Sequence, residues 1–410
     1  MVGSRQVLSY LVSVFTLGSV LPLAHIRVLA LEQAVAVPLA TRHLADMGAE
    51  VIKVERPKVG DFARTYDSLV RGQSTYFAWI NRGKKSITVN LKHPKGQELI
   101  RELARTCDVL VQNLGPGAAQ RLGLGPQEMM AINPRLIYCS LTGYGSTGPY
   151  RDKKAYDLLL QGEAGVIAAT GTPEAPAKTG MSIVDIAGGM YLFAGILLAL
   201  LERERTGKGR YLELSLFDAI LEWMHVPLLY VMHTGRPFPR SGQRHNLIVP
   251  YGPYLCRDGT INLAIQNQDE WRRFCAIVLE EPGLADDPRY ADNQRRLENR
   301  HSLESYIEQK LSTLPLVEVA RRLDEADVPY AIVRDVTELP CHPQLQARSR
   351  WMEVDSPGGP IAMLRFPIEA DGWDPGPQRI PALGEHTRQV LAQLGLSDQE
   401  IDQLEREGAI

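Results

Sequence analysis

From residue 26 onward, short apolar runs alternate with longer amphipathic stretches. The runs at residues 26–31, 51–55, 87–91, 108–112 and 136–140 read as buried strands. Between them, Leu39–Met47 and Lys95–Arg105 carry helical spacing, and a shorter helix holds Arg121. Strands alternating with helices predict an α/β fold, a doubly wound and mostly parallel sheet whose ligands sit at the strand ends. Tyr211–Leu216 reads as a further strand, and the Gly-, Pro- and Arg-rich stretch 235–253 marks a change of domain. Tyr254–Ile265 reads as a hairpin turning at Asp258-Gly259. Polar helices over 268–326, a strand at Tyr330–Arg334 and an acidic C-terminal helix complete the pattern.

One stretch differs from the rest. Residues 186–201 carry no charge, and Asp185 stands immediately before them. The pattern predicts a buried helix with an acid in its first turn, where the helix dipole and free N–H groups keep a carboxylate ionised. Gly188 and Gly189 leave the following turn bare, which reads as room for a bulky substrate. An N-cap aspartate on a core helix is the plainer reading of the same residues. The run falls short of the roughly 20 residues that span a bilayer.

Composition narrows the chemistry. A net charge of −3 over 410 residues gives no general basic face for nucleic acid. Five cysteines without a Cys-x-x-Cys argue against a disulfide framework or a zinc site, and fit a reducing compartment. No Gly-x-Ser-x-Gly or His-Glu-x-x-His is present, and no metal is expected. The turn Glu32–Pro38 after the first strand has no glycine, so a dinucleotide fingerprint is absent. Gly83-Lys84-Lys85-Ser86 is not a P-loop, because Ala78 stands where the leading glycine belongs. Arg56, Lys92, Arg121 and Lys154 each follow a predicted strand or lie in the loop or helix just after one. Such strand ends converge on one crevice, where four cations suit a phosphate-bearing ligand.

Several blocks, in order, resemble the class III CoA-transferases, the family of formyl-CoA, carnitine and succinyl-CoA:dicarboxylate CoA-transferases. They are Gly48–Pro57, Asn81–Ser86, Asn113 with Gly115-Pro116-Gly117, Gly143-Tyr144-Gly145 with Gly148-Pro149, Thr206–Gly209 and Leu383–Thr387. The resemblance implies a large Rossmann-like CoA-binding domain from 21–215 and 335–410, a smaller α+β domain at 228–330, and an N-terminal extension at 1–20. It also implies an interlocked homodimer, with coenzyme A entering as the acyl-CoA substrate. Asp185 falls on the family's catalytic aspartate. Arg56, Lys92, Arg121 and Lys154 fall on positions that hold CoA phosphates and adenosine, while Asn113, Leu114, Gly115 and Tyr156 fall on segments lining the same ligand.

Departures from the pattern shape the expected reaction. Val35 stands where formyl-CoA transferase places a glutamine near the reacting carbonyl, and Arg244-His245-Asn246 to Pro250-Tyr251 occupies the region of its glycine-rich lid. Both point away from formyl or oxalyl transfer. The resemblance therefore implies transfer of CoA from succinyl-CoA or a similar donor to a small dicarboxylic acid, through an aspartyl anhydride and an aspartyl-CoA thioester. Arg244 and His245 are candidates for the acceptor's far carboxylate, the alternative being an arginine paired on the surface. N–H groups near Gly188 and Gly189 are candidates for the developing oxyanion. Asp157 is the next carboxylate at a helix start. The 2-methylacyl-CoA racemase branch places a His beside the aspartate; here Tyr156 stands there, a poor base at neutral pH. Residues 6–24 resemble a secretion signal in outline. A CoA substrate implies a cytoplasmic enzyme, with no membrane or nucleic-acid partner, and so favours reading them as an extension.

Overall fold

The computed structural model describes residues 21–410; the expected extension at 1–20, and with it most of the apolar run 6–24, lies outside the described residues. Six strands form the main sheet: β1 (Arg27–Leu31), β2 (Glu50–Glu55), β3 (Lys84–Thr88), β4 (Val109–Gln112), β5 (Ile137–Thr142) and β6 (Tyr211–Ser215). All pair in parallel, in the order β3-β2-β1-β4-β5-β6. The chain builds outward from β1 through β2 and β3, then returns to the other side of β1 with β4. The crevice at the strand ends beside β1 and β4 is therefore the topological switch point.

Burial on both faces explains the continuous apolar strands. Leu29, Ile52 and Leu110 pack on one face with Ile100 and Leu103 of the helix Pro94–Arg105, while Val28, Ala30 and Val51 are also buried. That helix starts where Pro94 occupies its first turn and the His93 ring accepts from the Lys95 N–H. The third strand begins at Lys84, three residues before the expected 87–91. It carries two lysines and a serine, and Lys84 and Ser86 find buried polar partners there instead of facing water. The hairpin strands are Tyr251–Cys256 and Gly259–Ala264, so Arg257 and Asp258 make the turn. The helix Thr75–Asn81, capped by Ser74, the helices Leu216–Trp223 and His225–Thr234, and a small sheet of Trp351–Asp355, Ile361–Leu364 and Gln378–Arg379 lie beyond the sequence pattern.

The Asp185 helix runs from Ile183 to Thr206 and places Asp185 in its first turn. It is not buried all round. Val184, Ala187 and Ile196 are buried, whereas Leu198 and Leu201 are 67% and 63% exposed. Among the described residues it is the one helix long and apolar enough to cross a membrane.

By internal contacts the chain forms two units. One comprises the residues up to Tyr156 with Val184–Ile220 and Arg350–Ile410; the other comprises Asp157–Ile183 and Leu221–Ser349. In the first, Leu383–Thr387 docks on β3, where the Gly384 N–H donates to Ser86 Oγ and the Thr88 N–H to Thr387 Oγ1, both at 2.9 Å. Segments 157–183 and 335–349, expected in the large domain, fall in the second unit. For 157–183 the reason is a set of main-chain anchors. Arg240 donates to the carbonyls of Ala168, Thr172 and Pro173, and the Gly242 N–H to Gly171 O. The core of this second unit centres on Tyr254, Trp271, Phe274 and Leu303.

Candidate functional site

The C-terminal ends of β1, β2 and β3, with the loop after β4, enclose a cleft of about 540 Å³. Arg56 follows β2, Lys92 follows β3, and Arg121 ends the short helix Ala118–Arg121; all three line it, with Leu114 and Gly115. The three cationic side chains are exposed. A parallel sheet brings the loops after its strands to one edge, so residues 29 to 65 positions apart in sequence become neighbours there. Exposed cations converging on a cleft concentrate anionic ligands there.

Acidic groups form the floor, and buried lysines already balance them. Lys53 Nζ lies 2.8 Å from Asp61 and 3.4 Å from Glu32, and Lys84 Nζ lies 2.7 Å from Glu32. Glu55 receives Arg64 at 2.7 Å and the Ser86 hydroxyl at 2.6 Å. Burial works against the Glu32 charge, but Lys84 and Lys53 hold its carboxyl below the ordinary range. Burial likewise opposes the Glu55 carboxylate, yet the Arg64 hydrogen bond, Lys53 and Ser86 bring it down to about 2. The two lysines part company: burial pushes Lys84 down to about 7, whereas Glu32, Asp61 and Glu55 overcome burial and raise Lys53. Lys53 has a second close carboxylate and Lys84 does not. With the floor internally paired, the charge offered to a ligand is that of Arg56, Lys92 and Arg121.

The turn Gln33–Val35 links this cleft to the helix that carries Asp185. Gln33 lines the cleft. Asn113 grips that residue from both sides, accepting from its N–H at 3.0 Å and donating to its carbonyl at 2.8 Å. Ala34 takes a left-handed φ of 63°, with its N–H donating to Asp61 at 3.2 Å. Val35 is buried with Leu39 and Ile80, and Ile186, next to Asp185, packs on that cluster. Asp185 itself is half-buried. Gly188 and Gly189 serve close packing rather than substrate entry. Both are buried; a Cβ on Gly189 would stand 2.7 Å from the Ala36 carbonyl, and one on Gly188 would collide with Leu216. Their N–H groups lie past the first four positions of the helix, where the helix's own carbonyls take them, so the expected oxyanion donors are not there.

Tyr66 joins the site without having been expected. Its ring meets Tyr76 edge-on at 5.7 Å. Burial, then the charges of Asp61 and Asp185, push its phenol up to about 12, so the hydroxyl remains a donor. Lys53 and Asp61 were also unforeseen as a pair. The one signal was a lysine inside the apolar run Val51-Ile52-Lys53-Val54, which a two-sided buried strand tolerates only with a carboxylate partner.

Other expected residues lie outside the cleft wall. Val35 ends the turn on its buried side and Asn113 holds Gln33; Lys154 and Tyr156 lie on the exposed segment 150–156, with Tyr156 contributing to the field at Tyr66. Asp157 accepts from Gln161 Nε2 at 2.7 Å in the second unit. Arg244 is engaged by Glu304 at 2.6 Å and Glu308 at 3.5 Å, over the face of Tyr254. The His245 ring stacks on Tyr251 and accepts from the Leu247 and Ile248 N–H groups. These contacts of the second unit match the alternative reading, an arginine paired within the protein. Among the described residues no cluster of three or more His, Cys, Asp or Glu is placed to hold a metal ion.

Comparison with known proteins points one way. Residues 23–387 match the model of CoA-transferase family III. The succinate–glutarate CoA-transferase of Agrobacterium fabrum is 35% identical over 91% of this chain and 96% of the relative. The acetyl-CoA:oxalate CoA-transferase of Acetobacter aceti is 35% identical over 87% and 92%. A crystal structure of a CaiB/BaiF family protein from Brucella suis superposes with a TM-score of 0.78 at 32% identity, covering 91% of this chain and 99% of that one.

Proposed function

The chain belongs to CoA-transferase family III, and on that premise we propose that it moves CoA from succinyl-CoA or a similar donor to a small dicarboxylic acid, with Asp185 as nucleophile. The observation that carries this reading is a three-cation cleft lined by Gln33, with the neighbouring Val35 in the cluster on which Ile186 packs, next to a carboxylate at a helix start. CoA phosphates suit Arg56, Lys92 and Arg121, with Lys154 at the exposed rim and Asn113, Leu114, Gly115 and Tyr156 shaping the ligand's path. The name of the Agrobacterium fabrum relative supports the choice of small dicarboxylic acids, since it pairs succinate with glutarate.

The proposed chemistry needs one carboxylate and no redox partner. An Asp185 oxygen attacks the thioester carbonyl; the C–S bond breaks, giving a mixed anhydride and CoA thiolate. The thiolate attacks the aspartyl carbonyl, and the C–O bond breaks to release the donor acid and leave an aspartyl-CoA thioester. An acceptor carboxylate attacks that thioester and expels thiolate again. Thiolate then attacks the acceptor's carbonyl, forming the new acyl-CoA and restoring Asp185. Each step exchanges one acyl bond for another of similar activation, which is the advantage of covalent catalysis here. Tyr66, whose phenol stays protonated, is our candidate donor to an oxygen at Asp185.

A homodimer, interlocked as the resemblance implies, and a cytoplasmic location complete the proposal. The helix His225–Thr234 has no buried residue and exposes Val226, Leu229 and Met232, while the Asp185 helix exposes Leu198 and Leu201. Contiguous apolar faces of this kind mark surfaces that a partner covers. The deciding experiment follows label: the enzyme, succinyl-CoA and glutarate are mixed, and products are read by mass spectrometry. Glutaryl-CoA and free succinate in equal amounts are expected; hydrolysis alone would overturn the reading.

A further inference from the structure

We propose that Asp61 is the positioning residue of this site, an inference that rests on Asp185 as the nucleophile. One buried carboxylate ties together the turn that leads into the Val35 cluster, on which Ile186 packs, and the segment that leads into Tyr66. Its Oδ1 accepts from the Ala34 N–H at 3.2 Å and from the Ala63 N–H at 2.9 Å. The first contact holds the left-handed turn whose next residue, Val35, belongs to the cluster on which Ile186 packs. The second caps the helical turn Phe62–Thr65, which leads directly into Tyr66. The other oxygen, Oδ2, is anchored by fully buried Lys53 at 2.8 Å, and the Asp61 N–H is itself held by Glu55 at 2.9 Å.

The geometry gives Asp61 two loads and a fixed base. Ala34 carries a backbone conformation that L-residues other than Asn and Asp adopt at a cost, so its turn needs an external tether. Asn113 supplies one on the Gln33 side, and Asp61 supplies the other. Lys53 gives the carboxylate its orientation, because a buried ammonium has no water to turn toward. If the tether fails, Val35 shifts in the cluster that packs on Ile186, next to Asp185, and the turn leading into Tyr66 loses its cap, while Arg56, Lys92 and Arg121, exposed on their own segments, stay where they are. Displacement by about 1 Å of groups that orient the reacting atoms lowers turnover by about a hundredfold.

Asp61→Asn tests this: it keeps an oxygen for the two N–H groups but sets an amide N–H₂ against Lys53. Turnover with saturating succinyl-CoA and glutarate should fall about tenfold to a hundredfold, while the Kd for free CoA, measured by calorimetry, changes by less than about twofold. Asp61→Glu keeps the charge for Lys53 and moves the carboxylate by one methylene, so it serves where Asp61→Asn does not fold, and the same split is expected. Wild-type turnover in either folded variant overturns the proposal. So does an equal loss in turnover and CoA affinity, which would make Asp61 part of the CoA contact. Asp185→Asn, assayed alongside, separates the two readings: if it retains transfer, the nucleophile is wrong; if it is inactive while Asp61→Asn is not impaired, only the positioning role is lost.

Discussion

Arg244 and Glu304 face each other at 2.6 Å across the second unit, with Glu304 buried and the guanidinium lying 4.8 Å above the Tyr254 ring. A second carboxylate, Glu308, stands at 3.5 Å. The hydrogen bond to Glu304 raises the Arg244 pKa in spite of burial, which is the signature of a charge already satisfied. Arg244→Lys should therefore act on stability. Loss of the fork and the stacking is expected to cost about 1–3 kcal/mol, read as a lower Tm, with unchanged discrimination between succinate and butyrate. Altered discrimination at an unchanged Tm would return Arg244 to the acceptor site.

The phosphate cluster makes a graded prediction. Arg56→Ala, Lys92→Ala and Arg121→Ala each remove a cation from the cleft wall. Each should raise KM for succinyl-CoA about tenfold, the value of one charge-assisted hydrogen bond, and should flatten the dependence of KM on salt. Lys154→Ala should do less, since Lys154 lies outside that wall on an exposed segment. Wild-type KM in all three cleft variants would reduce the cluster to surface charge.

Glu55 gives the fold an acid limit. Its carboxyl sits at about 2 against an ordinary value of 4.5, because Arg64, Lys53 and Ser86 outweigh burial. A lowered folded-state pKa means stabilisation that is complete above pH 4.5 and is lost as pH falls toward 2. The shift corresponds to about 3 kcal/mol. Glu55→Gln should lower stability by that order at pH 7 and converge on the wild type near pH 2. Denaturant titrations from pH 2 to 7 check it; parallel curves for the two proteins would contradict the assignment.

How much of this was legible depended on whether a residue's partner was near in sequence. β1, β2 and β4 could be read because two-sided burial leaves an apolar run in the chain itself. β3 was misplaced because its inward Lys84 and Ser86 look polar until Glu32 and Glu55 are brought beside them. Arg56, Lys92 and Arg121 could be grouped because strand ends converge by topology alone. Asp61 could not be weighted, since its importance lies in Lys53 and Ala34, which only the folded turn presents. The uncharged run of the Asp185 helix predicts burial all round, because nothing in one chain's apolar pattern distinguishes a core from a face like that of Leu198 and Leu201. In sequence Gly188 and Gly189 suggest an opening; the close backbone of Ala36 turns them into a packing requirement.

Asp185 carries the decisive prediction. It lies in the first turn of a 24-residue helix, where the dipole and free N–H groups favour its ionised form, as a nucleophile requires. Ile186 beside it is packed on the Val35 cluster, so the carboxylate is held on a rigid element. Asp185→Asn preserves shape and removes the attacking oxygen anion. Folding and CoA affinity should survive, while transfer falls by several orders of magnitude. Hydroxylamine added during turnover should convert the activated carboxyl to a hydroxamate at Asp185, located by peptide mass spectrometry, and only when acyl-CoA is present. Label at Asp157 or any other carboxylate, or substantial transfer by Asp185→Asn, would show that the acyl group travels by another route.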